Sequence, residues 1–201
     1  ANENFVINAA NAGQFVSNAG LIIGGTFSGI ETLVGATGQD TFQFTESGSL
    51  NGTIDGVGGT DTIIGDNDGN VFTVSNNDSG DLAGKINTSG TGSASFINVE
   101  NLTGGAGVDT FTISSLLVGD LNGRSGNDQF FFGPTGAIGG TLFGGPGFDT
   151  LTGDDDGNLF NIHGNGVLSA TGRGTLVTKT SEFQEVETLV GGAGNDTFSF
   201  T

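Results

Sequence analysis

The chain has 201 residues, 40 of them Gly, with 22 acidic and 4 basic side chains and a formal charge of −18. Leu, Ile, Val and Phe remain plentiful and no Gly-X-Y period runs through the Gly, which excludes a disordered chain and collagen. No apolar run approaches the ~20 residues of a membrane helix, and so acidic a chain repels nucleic acid and anionic membranes while attracting cations. Cys is absent, so no disulfide framework exists; outside a cell, metal ions would be the obvious substitute. The chain opens at Ala1 without Met or signal peptide and reads as an excised or processed piece.

In chain order the sequence repeats itself, which decides the fold class before anything else. Asn2-Glu3-Asn4-Phe5 is a worn copy of an Asp-Gly-Asn-x-Phe string that returns at 68–72 and 156–160. Ile30-Glu31-Thr32-Leu33-Val34-Gly35 through Asp40-Thr41-Phe42 recurs from Val99 to Phe111 and from Val186 to Phe198. A Gly-Thr-apolar-x-Gly string with a Gly-rich turn spans Gly52 to Asp61 and again Gly140 to Asp149. One fragment, 1–201, therefore divides at about 1–67, 68–155 (carrying an inserted coil of 19 residues) and 156–201, the last unit cut short. Within each unit, G-x-x-G-x-D turns end at Asp40, Asp61, Asp109, Asp128, Asp149 and Asp196, with spacings of 21, 48, 19, 21 and 47.

Two residues past each Asp stands an apolar side chain: Phe42, Ile63, Phe111, Phe130, Leu151 and Phe198. Nine residues before or after an Asp, Glu31, Glu100, Glu187, Asn70 and Asn158 hold a similar slot, followed two later by Leu33, Leu102, Leu189, Phe72 and Phe160. Gly turns that accept positive φ, alternating with short strands that each place one apolar residue inward, predict a right-handed parallel β-solenoid of 19 to 21 residues per regular coil. No Gly-free segment carries a 3.6-residue apolar period, so helix is not expected. Ten coils at ~4.8 Å would give a rod roughly 48 Å long. The polar stretches 71–98 and 159–185 read as wider coils without an acidic turn.

The motif G-G-x-G-x-D-x-U-x, intact at Gly104 to Phe111, Gly144 to Leu151 and Gly191 to Phe198, resembles the nonapeptide of RTX repeat proteins, whose β-roll binds Ca²⁺ between stacked turns. Gly35 to Phe42, Gly56 to Ile63 and Gly123 to Phe130 depart from it at Ala36, Val57 and Arg124. RTX arrays run in tandem, whereas here the other half-coil carries Glu, Asn or a plain strand. A closer resemblance is to very long, repetitive GGxGxD-bearing bacterial surface proteins of adhesin type. It implies an extracellular or cell-surface setting and a surface or glycan as a further partner, while exposed coil ends would offer unpaired strands for association end to end or laterally into fibres.

Calcium takes six to eight oxygens at about 2.3–2.6 Å, and two stacked turns offer carboxylates and carbonyls that close around one ion. The expected metal residues are Asp40, Asp61, Asp109, Asp128, Asp149 and Asp196. The facing pairs are Asp40/Asp61, Asp109/Asp128 and Asp128/Asp149, with Asp196 needing a partner beyond the end of the piece. The competing reading has each Asp merely bonding its own turn backbone. Asp66 to Gly69 and Asp154 to Gly157 read as solvated acidic loops, His163 as a surface residue, and Lys85, Arg124, Arg173 and Lys179 as scattered solvated charges.

Three functions compete. A structural module of a secreted or surface adhesin or filament is favoured by the long super-repeat. A calcium-dependent accessory or secretion module of an extracellular enzyme would show tandem nonapeptides. A β-helix polysaccharide lyase or epimerase needs a base, an acid and a cationic group, which one His and four dispersed cations do not supply. No catalytic residue is assigned.

Overall fold

The protein is described from a computed structural model covering residues 2–16, 22–78, 81–87, 93–163 and 173–201. Among these residues there is no helix, hence none long and apolar enough to cross a membrane. The chain begins with β1 (Asn4–Ala9), β2 (Ala12–Val16) and β3 (Ile22–Ser28), then four short strands: β4 (Thr32–Val34), β5 (Thr41–Phe44), β6 (Thr53–Asp55) and β7 (Thr62–Ile64). Three longer ones follow, β8 (Val71–Asp78), β9 (Asp81–Asn87) and β10 (Ser93–Ile97). Next come β11 (Asn101–Thr103), β12 (Thr110–Ile113), β13 (Leu116–Leu117), β14 (Leu121–Asn122), β15 (Gln129–Phe132), β16 (Ala137–Phe143) and β17 (Thr150–Thr152). The last are β18 (Leu159–His163), β19 (Arg173–Leu176), β20 (Thr180–Gln184), β21 (Thr188–Val190) and β22 (Thr197–Phe200).

These strands form two sheets between which the chain alternates. One runs β22-β18-β19-β20-β16-β14-β11-β7-β5-β1-β2-β3, with β13 beside β16, and the other runs β21-β17-β15-β12-β8-β9-β10-β6-β4. Most neighbours are parallel, as the repeat spacing requires. Phe42 pairs with Ile63, Leu102 with Leu121, Phe111 with Phe130 and Phe130 with Leu151, each pair 19 or 21 residues apart. Ten of the eleven apolar positions two residues past a slot are inward; Phe198, on edge strand β22, is 42% exposed. Rings in register stack face to face: Phe5 on Phe42 and Phe72 on Phe111 at 4.8 Å, Phe111 on Phe130 at 5.1 Å.

The stretches 71–98 and 159–185 are not wider parallel coils. Where described, each is a three-stranded antiparallel excursion within one sheet, β8-β9-β10 and β18-β19-β20, and β1-β2-β3 is a third. Three strands replace one because an odd number returns the chain in its original direction, so parallel stacking resumes beyond. Close packing marks these excursions. A Cβ on Gly13 or Gly174 would collide with the ring of Phe27 or Phe183 on the neighbouring strand.

Candidate functional site

Every acidic or Asn slot lies one residue ahead of a strand, and the slots stack into columns. Along the first sheet, the N–H of Glu3 donates to Asp40 Oδ1 (2.6 Å), that of Asp40 to Asp61 Oδ1 (2.7 Å) and that of Asp61 to Glu100 Oε2 (2.7 Å). Along the second sheet the N–H of Asn70 donates to Asp109 (2.6 Å), Asp109 to Asp128 (2.8 Å), Asp128 to Asp149 (2.7 Å) and Asp149 to Glu187 Oε2 (2.8 Å). The column returns to the first sheet with Asn158 donating to Asp196 Oδ1 at 2.8 Å. The excursions β8-β9-β10 and β18-β19-β20 therefore each stand between a column on one sheet and a column on the other.

The structure thus brings together all three expected pairs, Asp40/Asp61, Asp109/Asp128 and Asp128/Asp149. It gives Asp196 a neighbour within the chain, Asn158, whose N–H it accepts. Glu100 and Glu187 close two columns; their 9-residue offset from Asp109 and Asp196 was the only sequence signal. Of the acidic loops, Asp66 and Asp154 are buried, not solvated. His163 is exposed as expected, Arg173 pairs on the surface with Glu182 (Nε to Oε1, 3.0 Å), and the side chain of Lys85 lies outside the described residues. Lys179 is not a solvated charge. It is buried, with Nζ 2.7 Å from Asp154 Oδ2, 3.0 Å from Gly133 O and 2.6 Å from Pro134 O.

The second carboxylate oxygen separates two kinds of turn. Asp40 Oδ2 accepts the N–H of Ala36 (2.6 Å) and Asp109 Oδ2 that of Gly105 (2.7 Å), the purely conformational arrangement. In the other turns the second residue has positive φ: Val57 at 73°, Arg124 at 68°, Gly145 at 102°. That flips the peptide; Val57 N–H goes to Asp55 and Arg124 N–H to Asn122. Asp61 Oδ2, Asp128 Oδ2 and Asp149 Oδ2, with Glu187 Oε1, are then buried without any hydrogen-bond partner. At the first Gly of these turns a Cβ would collide with the Asp Oδ2 and with a carbonyl of a neighbouring turn, Asn98 O at Gly56, Gly144 O at Gly123 and Glu185 O at Gly144, as it would with Asp40 Oδ2 at Gly35 and Asp109 Oδ2 at Gly104. This explains the invariable first Gly of the turn. Asp61 Oδ2, Asp128 Oδ2 and Asp149 Oδ2 remain buried acceptors without a donor, a costly arrangement in low dielectric.

Burial pushes these carboxyls up, to about 6 for Asp61, about 7 for Asp128 and about 6 for Asp149, and raises Asp109 as well. Neighbouring acids add to the shift, and the N–H bonds to the carboxylates oppose it. A raised folded-state value means the native chain binds more protons than the unfolded one. The associated stability is present in full below about pH 4 and is lost as the pH climbs through 6 to 7. We expect urea melts of the metal-free protein to weaken from pH 5 to 8, by at most about 1.4 kcal/mol per pH unit per carboxyl. Asp128→Asn should flatten that slope, and an unchanged slope would remove Asp128 from the account.

Asn70 and Asn158 show how the same slot is satisfied without charge. Asn158 Nδ2 donates to Asp154 O (2.7 Å) and to Gly191 O in the turn after β21 (2.6 Å), and Asn70 Nδ2 donates to Asp66 O (2.9 Å). Among the described residues no three acidic or His side chains converge on one point. An ion at the orphan oxygens would draw one carboxylate from each turn and fill its remaining sites with carbonyls. Compared with protein-family models and with curated proteins, the chain matches none.

Proposed function

We propose that this chain is a structural repeat module of a secreted or cell-surface bacterial adhesin or filament, a right-handed parallel β-solenoid held by Ca²⁺ between its Gly-Asp turns. What carries the reading is the column of slots: each carboxylate is spent on the backbone of the adjacent coil, rung after rung. Carboxylates that each accept a backbone N–H of the neighbouring slot, strand after strand, are scaffold, not a single active site, which favours a non-enzymatic role. Exposed strand edges at β21 and β22, with Phe198 and Phe200 partly bare, are consistent with association into fibres.

The orphan Oδ2 atoms of Asp61, Asp128 and Asp149 support the calcium part, because each is a buried carboxyl oxygen that no donor reaches. Asp40 and Asp109 would contribute less, since both of their oxygens already accept N–H groups. Affinities of ~10⁻⁴–10⁻³ M, the range of extracellular modules, would tie stability to calcium-rich surroundings. Saturation 100-fold above the dissociation constant would contribute about 2.7 kcal/mol per site.

The test is thermal melting with and without chelator for the parent and for Asp128→Asn. The parent should melt lower in chelator and recover in calcium. Asp128→Asn should match or exceed the parent in chelator, as Asn70 and Asn158 lead one to expect, and should gain less from calcium. Identical parent melts in both conditions would leave the columns held by N–H groups alone.

A further inference from the structure

The outer edge of β4 lacks what its internal counterparts have. The string from Phe27 to Leu33 recurs at Phe96 to Leu102 and Phe183 to Leu189. The turn leading into it keeps one conformation, with positive φ at Gly29 (66°), Asn98 (52°) and Glu185 (55°). In the two later copies a further strand lies on the N-terminal side: β7 on β11, with Ile63 opposite Leu102, and β17 on β21, with Leu151 opposite Leu189.

Three hydrogen bonds recur at those junctions. The Asp ahead of the added strand donates its N–H to the Glu: Asp61 to Glu100 at 2.7 Å, Asp149 to Glu187 at 2.8 Å. The residue after the Glu donates to that Asp's carbonyl: Asn101 to Asp61 and Thr188 to Asp149, both at 2.9 Å. The Gly after the added strand donates back, Gly65 to Thr103 O and Gly153 to Val190 O, again at 2.9 Å. At β4 the matching groups are the Glu31 carboxylate, Thr32 N–H and Val34 C=O. None of them has a partner among the described residues, and β4 ends its sheet.

Packing repeats the pattern. Phe96, Val99, Phe183 and Val186 are fully buried, whereas Phe27 and Ile30 are only half-buried. They line a cavity of about 410 Å³ with Phe5, Phe15, Leu33 and Val34.

We propose that this edge is an acceptor for one more strand of the protein's own repeat type. That strand is Thr-(Ile or Leu)-(Ile or Thr), entered through a G-x-x-G-x-D turn. Its Asp gives its N–H to Glu31 and its carbonyl to Thr32, and its central apolar side chain fills the cavity over Leu33. The spacing of β7 to β8 and of β17 to β18 fixes where it comes from. Residues 65–70 and 153–158 separate those strands. β1 is the counterpart of β8 and β18, because Glu3 N–H meets Asp40 as Asn70 meets Asp109 and Asn158 meets Asp196. The occupant therefore arrives from the N-terminal side of β1, with six residues between. The inference rests on the stacked-coil reading above but not on calcium.

The experiment copies residues 144–155 ahead of Ala1, which restores the internal spacing, and follows amide hydrogen exchange at Thr32. The extension should slow Thr32 exchange about tenfold or more. The same extension carrying Leu151→Asp in the copied block should not, and Glu31→Ala should reduce the protection. Thr32 exchanging as fast in the extended chain as in the parent would overturn the proposal, as would equal protection by both extensions. Calcium-independent melting would strike the ion from the proposed function and leave this outcome unaffected.

Discussion

Replacing Lys179 with Met should lower stability by about 3–5 kcal/mol, the range for removing one partner of a buried ion pair. Lys179 and Asp154 have side chains only 8% and 6% exposed, and the ammonium also holds Gly133 O and Pro134 O. The substitution leaves Asp154 as a buried charge and two carbonyls without a donor. Burial alone would push the Asp154 carboxyl up, but Lys179 and the Asp156 N–H outweigh it and hold the carboxyl below its usual range. The stability this provides is present at neutral pH and fades as pH falls through the acid range, opposite in sign to that of Asp128. Lys179→Met/Asp154→Leu should recover most of the loss, because it removes both charges. Urea melts of the single and double variants decide it; a single variant within 1 kcal/mol of the parent would mean that water reaches the pair.

Phe111→Ala should cost a similar ~3–5 kcal/mol. Its ring is fully buried and stacks on both sides, against Phe72 at 4.8 Å and Phe130 at 5.1 Å, with interplanar angles of 4° and 9°. Neither neighbour can close the gap, because each is held in register by its own ladder of backbone bonds. Phe198→Ala, at an edge and with one stacked partner, should cost clearly less. Equal losses at the two positions would show that edge and centre are packed alike.

The regular parallel pairings were legible because G-x-x-G-x-D fixes both a turn and the phase of the strand behind it. Spacings of 19 and 21 residues became the pairs Asp109/Asp128 and Asp40/Asp61. The excursions were not legible. Alternation such as Val71-Phe72-Thr73-Val74 is shared by parallel and antiparallel strands, and Gly13 and Gly174 reveal themselves only once a Phe ring lies over them. Lys179 looked solvated because its partners, Gly133, Pro134 and Asp154, are distant in sequence. The orphan oxygens were hidden for another reason. They follow from positive φ at Val57 and Arg124, residues whose side chains ordinarily resist that conformation.

The short reach of the pairings bears on how fast the chain folds. Neighbouring parallel strands join residues 19 to 21 apart where they follow directly and about 40 apart across an excursion, out of 201. Relative contact order is therefore on the order of 0.1–0.2, low for an all-β protein, where sandwiches and closed barrels sit near the upper end and fold in milliseconds to seconds. The excursions shorten the search further, since a hairpin closes in about 1–10 μs and presents a ready template for the next parallel strand. Folding can start at any of the three meanders and spread outward strand by strand, so no single kinetic nucleus is required.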